Sequence, residues 1–223
     1  MKDRVCKPYE IRAEDSEKIL IMNGRYSMAI VLDVNFLCNK LIDVSAIKTL
    51  LNRYKIKIEC MKSIDNWMWE NEKKVESFKQ IPSILDSQHI VIIYLKQPSI
   101  KDVGVYIERV ENRYHYTLWI NTDGYPMLDC ERITKDNCKY YKKLIQAILE
   151  LNGLIEDSFE AVGIGLETEI GCGKKIIDII QNSKNIIIWL INKHIELYSL
   201  LDEFEAETMK DIYIFYKKDE IME

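Results

Sequence analysis

Period-two alternation of apolar and polar side chains dominates residues 89–122. His89-Ile-Val-Ile-Ile-Tyr-Leu95 is a short apolar run, and Val105–Val110 and Tyr114–Ile120 alternate around Glu111-Asn112. If those two residues make the turn, Val105 faces Leu118 and Ile107 faces Tyr116 on one side of a sheet. Glu108 then meets His115 on the other side. The pattern predicts an antiparallel meander over about 89–122.

Before it, Lys18–Met22 and Tyr26–Val34 flank Asn23-Gly24, a two-residue hairpin signal. Asp43 or Ser45 begins a helix through Tyr54, with Ile47, Leu50, Leu51 and Tyr54 on one stripe. Lys55–Met61 alternates as a strand. Asp65 begins a helix to about Lys79, with Pro82 as its stop.

Thr122-Asp-Gly-Tyr-Pro126 is the best candidate for a break. Thr134 then caps a helix reaching Asn152-Gly153, with Cys138, Tyr141, Leu144, Ile145, Ile148 and Leu151 on its buried stripe. The Asn-Gly pair reads as a left-handed helix end. From Phe159 the pattern predicts strand 161–167, helix 174–181, strand 186–191, helix 195–205 and strand 211–217. Strand-helix-strand order favours parallel crossovers. The fold class is therefore α+β: a mixed sheet, a meander in the first half, a β-α-β-α-β stretch in the second, and helices packed on the sheet. Residues 1–223 read as one globular domain, with two lobes, 1–122 and 134–223, as the other division.

Composition narrows the function classes. The chain has 223 residues, 48% hydrophobic and 30% charged, with only 8 glycines and 4 prolines, which fits a packed globular body without long linkers. The net charge is −5, and no Lys/Arg run exceeds two residues, so no nucleic-acid interface is expected. The six cysteines, at 6, 38, 60, 130, 138 and 172, are irregularly spaced and form no CxxC pair. They read as free thiols rather than a disulfide framework. The first residues, Met-Lys-Asp-Arg-Val-Cys-Lys-Pro, lack the apolar core of a signal peptide, and no apolar run approaches membrane length. The expected location is the cytoplasm, with no membrane partner.

Four features carry candidate chemistry. The stretch from Gly163 to Lys175 follows a strand and opens a helix, where phosphate-cradling loops sit. Its spacing departs from both nucleotide motifs. Thr168 stands where a Walker A loop and a dinucleotide fingerprint each need glycine, and Lys175 stands where the former needs Ser or Thr. Gly171, Gly173 and Lys174 are the anion-binding candidates; tight turns and close packing are the alternative role for the glycines.

Cys172, between two glycines and beside Lys174 and Lys175, is the candidate reactive thiol, since a helix N-terminus and lysines favour thiolate. The three histidines, His89, His115 and His194, form no HExxH or other ligand motif. No metal site and no cofactor are expected.

Asp202, Glu203, Glu205 and Glu207 fall on and around the polar face of the last predicted helix, either as a solvated face or as an electronegative patch. Trp67 and Trp69 flank Met68. On a helix, residues two apart point to different sides, so both are hard to bury together. An exposed tryptophan suits a binding surface. Trp119 falls on the sheet side away from Tyr116 and needs a cover.

No catalytic constellation emerges, so the reading is a non-enzymatic cytosolic protein-binding module. Its partner is a basic protein, and Trp67, Trp69, Glu203, Glu205 and Glu207 form the binding surface. In general character the chain is similar to small acidic neutralising proteins, such as immunity proteins that block a toxin. The alternative is a small-molecule or nucleotide-binding enzyme or sensor using residues 163–175, with Cys172 as its thiol. A homo-oligomer that buries the aromatic surface against itself is the third reading.

Overall fold

The computed structural model describes residues 30–97, 100–125, 127–128, 133–155, 159–195, 204–209 and 211–217. Ten strands and four α-helices fall within them. In chain order these are β1 (Val31–Cys38), α1 (Val44–Arg53), β2 (Lys57–Ile64), β3 (Lys73–Lys74), α2 (Ile81–Asp86), β4 (Ile90–Gln97), β5 (Ile100–Val110) and β6 (Arg113–Asn121). Then follow α3 (Cys138–Leu154), β7 (Phe159–Leu166), α4 (Ile176–Asn182), β8 (Ile188–Asn192), β9 (Phe204–Met209) and β10 (Ile212–Lys217).

The strands form one sheet in the order β3-β2-β4-β5-β6-β1-β7-β8-β10-β9. The meander β4–β5–β6 has the expected register: Val105 opposite Leu118, Ile107 opposite Tyr116, and Glu108 opposite His115. Glu111 turns the hairpin at φ 53°. β1 lies between β6 and β7, so one sheet runs through both halves of the chain.

Every pairing is antiparallel, which corrects the mixed sheet and parallel crossovers read from the sequence. The reason lies between β7 and β8. A parallel crossover passes along the sheet once, whereas this connection passes twice. It leaves β7 and runs back to the start of that strand, where the Lys174 carbonyl accepts a 2.8 Å bond from Arg113. α4 then returns to the end of β7, where Glu169 bridges Lys184. The two passes leave β8 antiparallel to β7. The helix expected over 195–205 falls mainly outside the described residues, and Phe204 and Glu205 belong to strand β9.

The first half holds another correction. Residues 65–79 do not form a helix; the chain turns, adds the two-residue β3, and makes a 3-10 turn at Phe78–Gln80. Pro82 sits in the first turn of α2 and starts a helix rather than ending one. Proline suits both places, because its missing N–H is unpaired at a helix start anyway. The hairpin around Asn23-Gly24 lies mostly outside the described residues.

The first face of the sheet carries the main core. Val34, Phe36, Ile107, Tyr116, Val162, Leu190 and Ile214 point into it, against Ile81 and Leu85 of α2 and Tyr141, Ile145, Ile148 and Leu151 of α3. Each fully buried aliphatic side chain there contributes about 1.5–3 kcal/mol. The exposed Arg53–Glu150 bridge between α1 and α3 adds little by comparison. α3 runs through Asn152-Gly153 to Leu154, so Gly153 is not a left-handed terminator. A Cβ added at Gly153 meets nothing within 4 Å. Gly153→Ala is expected to stabilise the protein by about 0.5–1 kcal/mol. A shift of the urea midpoint to higher concentration at constant m-value checks this; a terminator glycine would give a downward shift.

Candidate functional site

The opposite face of the sheet holds an unusual mixture of polar and aromatic side chains. Cross-strand partners share a face, which defines three rows. Glu108, His115, Leu37, Ala161 and Ile191 form one row, and Tyr106, Thr117, Asn35, Gly163 and Trp189 the next. Gly104, Trp119, Asp33 and Gly165 form the third.

Hydrogen bonds run directionally through these rows. The Thr117 hydroxyl donates to Asn35 Oδ1 at 2.9 Å, and Asn35 Nδ2 donates to Thr168 Oγ1 at 2.7 Å. The Thr168 hydroxyl and backbone N–H both donate to Asp33 Oδ2, at 3.1 and 2.9 Å. Asn35 is only 3% exposed. Two donors favour the Asp33 carboxylate, but burial outweighs them, and Glu167 adds repulsion, so its pKa rises to about 6. Burial also keeps His115 neutral, with Arg113 nearby, at a pKa of about 4.

The aromatic part sits over β4, β5 and β6. Tyr106 stacks on Trp119 at 4.3 Å, Trp67 meets Tyr106 edge-on at 5.1 Å, and Tyr94 meets Trp119 edge-on at 5.9 Å. Trp119 lies across Gly104, where any Cβ would fall 2.0 Å from its ring. Trp67 Nε1 donates to Glu108 Oε2 at 3.3 Å, and burial raises the Glu108 pKa despite that bond.

Trp67 and Trp69 both pack against Ile64, Ile90 and Ile92. The helical argument against burying them together fails because their segment is a loop. Trp69 and Asn71 take φ 59° and 52°, left-handed values that a continuous α-helix does not hold. Met68, between them, is 64% exposed. The loop is braced: Asn71 Nδ2 donates to Asp65 Oδ2 at 2.7 Å, His89 Nδ1 lies 2.7 Å from Asp65 Oδ1, and Asn66 Nδ2 donates to Glu70 at 2.6 Å.

The glycine-rich stretch is folded around α4. Gly171 and Gly173 face Asn182 and Asp178, where a Cβ would come within 2.6 and 2.5 Å of theirs. The Lys175 N–H at the start of α4 donates to the Asp178 carboxylate at 3.3 Å. Lys174 lines an open cavity of about 560 Å³ with Asn39, Glu111, Asn112, Arg113 and Glu160. Inside it Arg113 Nε donates to Glu160 at 2.6 Å. Cys172 is exposed, and its carbonyl accepts a 3.5 Å bond from Asn182. No group of three His, Cys, Asp or Glu side chains suited to a metal occurs among the described residues.

Glu205 and Glu207 are exposed on β9; Glu203 lies outside the described residues. The Trp67–Trp69 loop follows β2 near one edge of the sheet, and β9 is the strand at the other edge. Eight strand spacings separate them, roughly 38 Å along the sheet. The Trp67–Trp69 loop and the pair Glu205 and Glu207 therefore lie in two separate places on the sheet.

The residues that sequence reasoning missed are Asp33, Asn35 and Thr168. A trace was present: Asp33 and Asn35 stand two apart in the otherwise apolar Val31-Leu-Asp-Val-Asn-Phe-Leu-Cys38, on one face of a strand. The arrangement defines an α+β protein on one wide antiparallel sheet; an apolar cluster of Leu37, Ile176, Ile179, Ile180, Trp189 and Ile191 covers part of the second face, and polar and aromatic side chains hold the rest. The chain matches no protein-family model, no curated protein and no solved structure. No helix among the described residues is long and apolar enough to cross a membrane.

Proposed function

We propose that this chain is a non-catalytic protein-binding module, of the neutralising kind in character, whose partner is a basic protein. The observation that carries the reading is Met68, 64% exposed between Trp67 and Trp69 on a braced loop. Methionine and tryptophan are enriched in interface cores. A loop held by Asp65, Asn66 and Asn71 loses little freedom on binding, so less of the contact energy is spent on ordering it. The net charge of −5 favours a basic partner and speeds encounter. Among the described residues Cys172 lies on the 167–175 connection, His89 beside Asp65, and His115 buried on β6, so these groups are dispersed.

Met68→Asp tests the reading, because the site is exposed. Full-length bait is expected to capture a basic protein at one-to-one stoichiometry from the native host, and the variant to lose at least tenfold of that capture at an unchanged melting temperature. About 1.4 kcal/mol corresponds to tenfold, a modest demand on one central contact. Equal capture by both baits would remove the loop from the interface.

A further inference from the structure

We infer that β9 is a docking edge that takes up an extended, basic segment of another protein as an eleventh strand. The inference rests on the protein-binding reading and names the chemistry of the partner. Among the described residues β9 pairs with β10 on one side and with no strand on the other. Its outer backbone N–H and C=O groups, about three of each over six residues, point away from the sheet. Residues 205–209 are all exposed. Alternation puts Glu205, Glu207 and Met209 on one side of the strand, opposite Tyr216, Ile214 and Ile212 of β10. The Tyr216 hydroxyl donates to Glu207 at 2.7 Å, and neither glutamate has a cationic partner among the described residues.

Charge selects the occupant. Edge strands invite pairing, and proteins guard them with shortness or charge. The other edge is guarded by both, since β3 is only Lys73–Lys74. β9 is long enough to pair and, among the described residues, is guarded by negative charge alone. Two copies of β9 paired antiparallel about Ala206 would set Glu205 against Glu207 twice, which is unfavourable, and the register that joins all six residues sets Glu205 against Thr208 and Glu207 against Ala206, so it offers neither glutamate a cation. β3 of a second copy offers two residues whose lysines point to opposite faces, so only one could meet a glutamate. A foreign strand with lysine or arginine at two positions two apart meets Glu205 and Glu207 together. Backbone bonds supply its affinity and the charges its selectivity.

The full chain is titrated with a fluorescent ten-residue peptide of alternating threonine and lysine. Counterparts carry glutamate in place of lysine, or two internal prolines that remove strand N–H groups. The lysine peptide is expected to bind at least tenfold more tightly than either counterpart, and to slow amide exchange over 204–209. A Glu205→Lys/Glu207→Lys variant should lose at least tenfold of that affinity, while Glu59→Lys, an exposed charge reversal on β2 near the other edge, keeps it. Equal binding of the proline peptide, protection elsewhere, or peptide-independent self-association that protects 204–209 overturns the inference. Failure of the Met68→Asp capture experiment with intact peptide binding would strike the loop reading alone.

Discussion

Gly165→Ala is expected to destabilise the protein by about 3 kcal/mol, at the upper end for overpacking. A Cβ at that position would fall 1.8 Å from the backbone oxygen of Asn185 and 2.9 Å from its carbonyl carbon. No rotamer relieves such a contact, because the obstacle is main chain. Either β7 or the segment before β8 must move, and both are anchored. Ile187 N–H donates to Ile164 O at 2.8 Å, and Lys184 N–H to Glu169 O at 2.8 Å. Movement would also pull Thr168 from Asp33. Chemical denaturation measures the loss. A variant as stable as the parent would mean that the chain does not approach itself closely at this point. The same substitution at Gly153 has the opposite expected sign, which separates close approach from backbone freedom.

Asp33→Asn is expected to stabilise the protein by about 1–3 kcal/mol at pH 8 and to have little effect near pH 3. The folded-state pKa of Asp33 is raised from 3.8 to about 6, so the native chain holds this proton more tightly than the unfolded chain. Stability from this group is full below about pH 3.8 and declines as pH rises through 6. Asparagine removes the ionisation cost, and its Oδ1 can still accept from Thr168. His115 acts in the same pH range with the opposite sign. Its folded pKa is lowered from 6.5 to about 4, so its contribution is lost as pH falls through that interval. The parent profile is therefore flattened between pH 4 and 6, and the difference between parent and variant isolates Asp33. Urea titrations at pH 3, 5 and 8 give that difference. A gap that stays constant with pH would show that Asp33 titrates normally. An unfavourable carboxylate kept in a sheet face marks the region as a candidate for function beyond stability.

The candidate surfaces were only partly legible. Glu205 and Glu207 are recognisable from residue type as exposed acids, and Trp67 and Trp69 as large aromatics, although both tryptophans also pack on the Ile64–Ile90–Ile92 cluster. Their separation was not, because sheet order is not written in local spacing. The hydrogen-bonded chain joins residues 82, 133 and 135 positions apart. Nothing near Thr168 in the chain announces Asp33. Gly163 and Gly165 were conspicuous, yet what each approaches, Trp189 and Asn185 respectively, depends on how the connection folds back.

What the chain alone determined is whatever short-range periodicity dictates. The β5–β6 register follows from a two-residue turn and alternation, because a one-residue slip would invert every side chain. α3 follows from Tyr141, Ile145, Ile148 and Leu151 on one stripe. Tertiary structure decided where β1 inserts, that 167–187 passes along the sheet twice, and which polar side chains share a face. Such choices join distant segments, and closing a longer loop costs only about 0.6 kcal/mol per doubling of its length. Chain separation therefore discriminates weakly among partners, and collective packing of the core makes the selection.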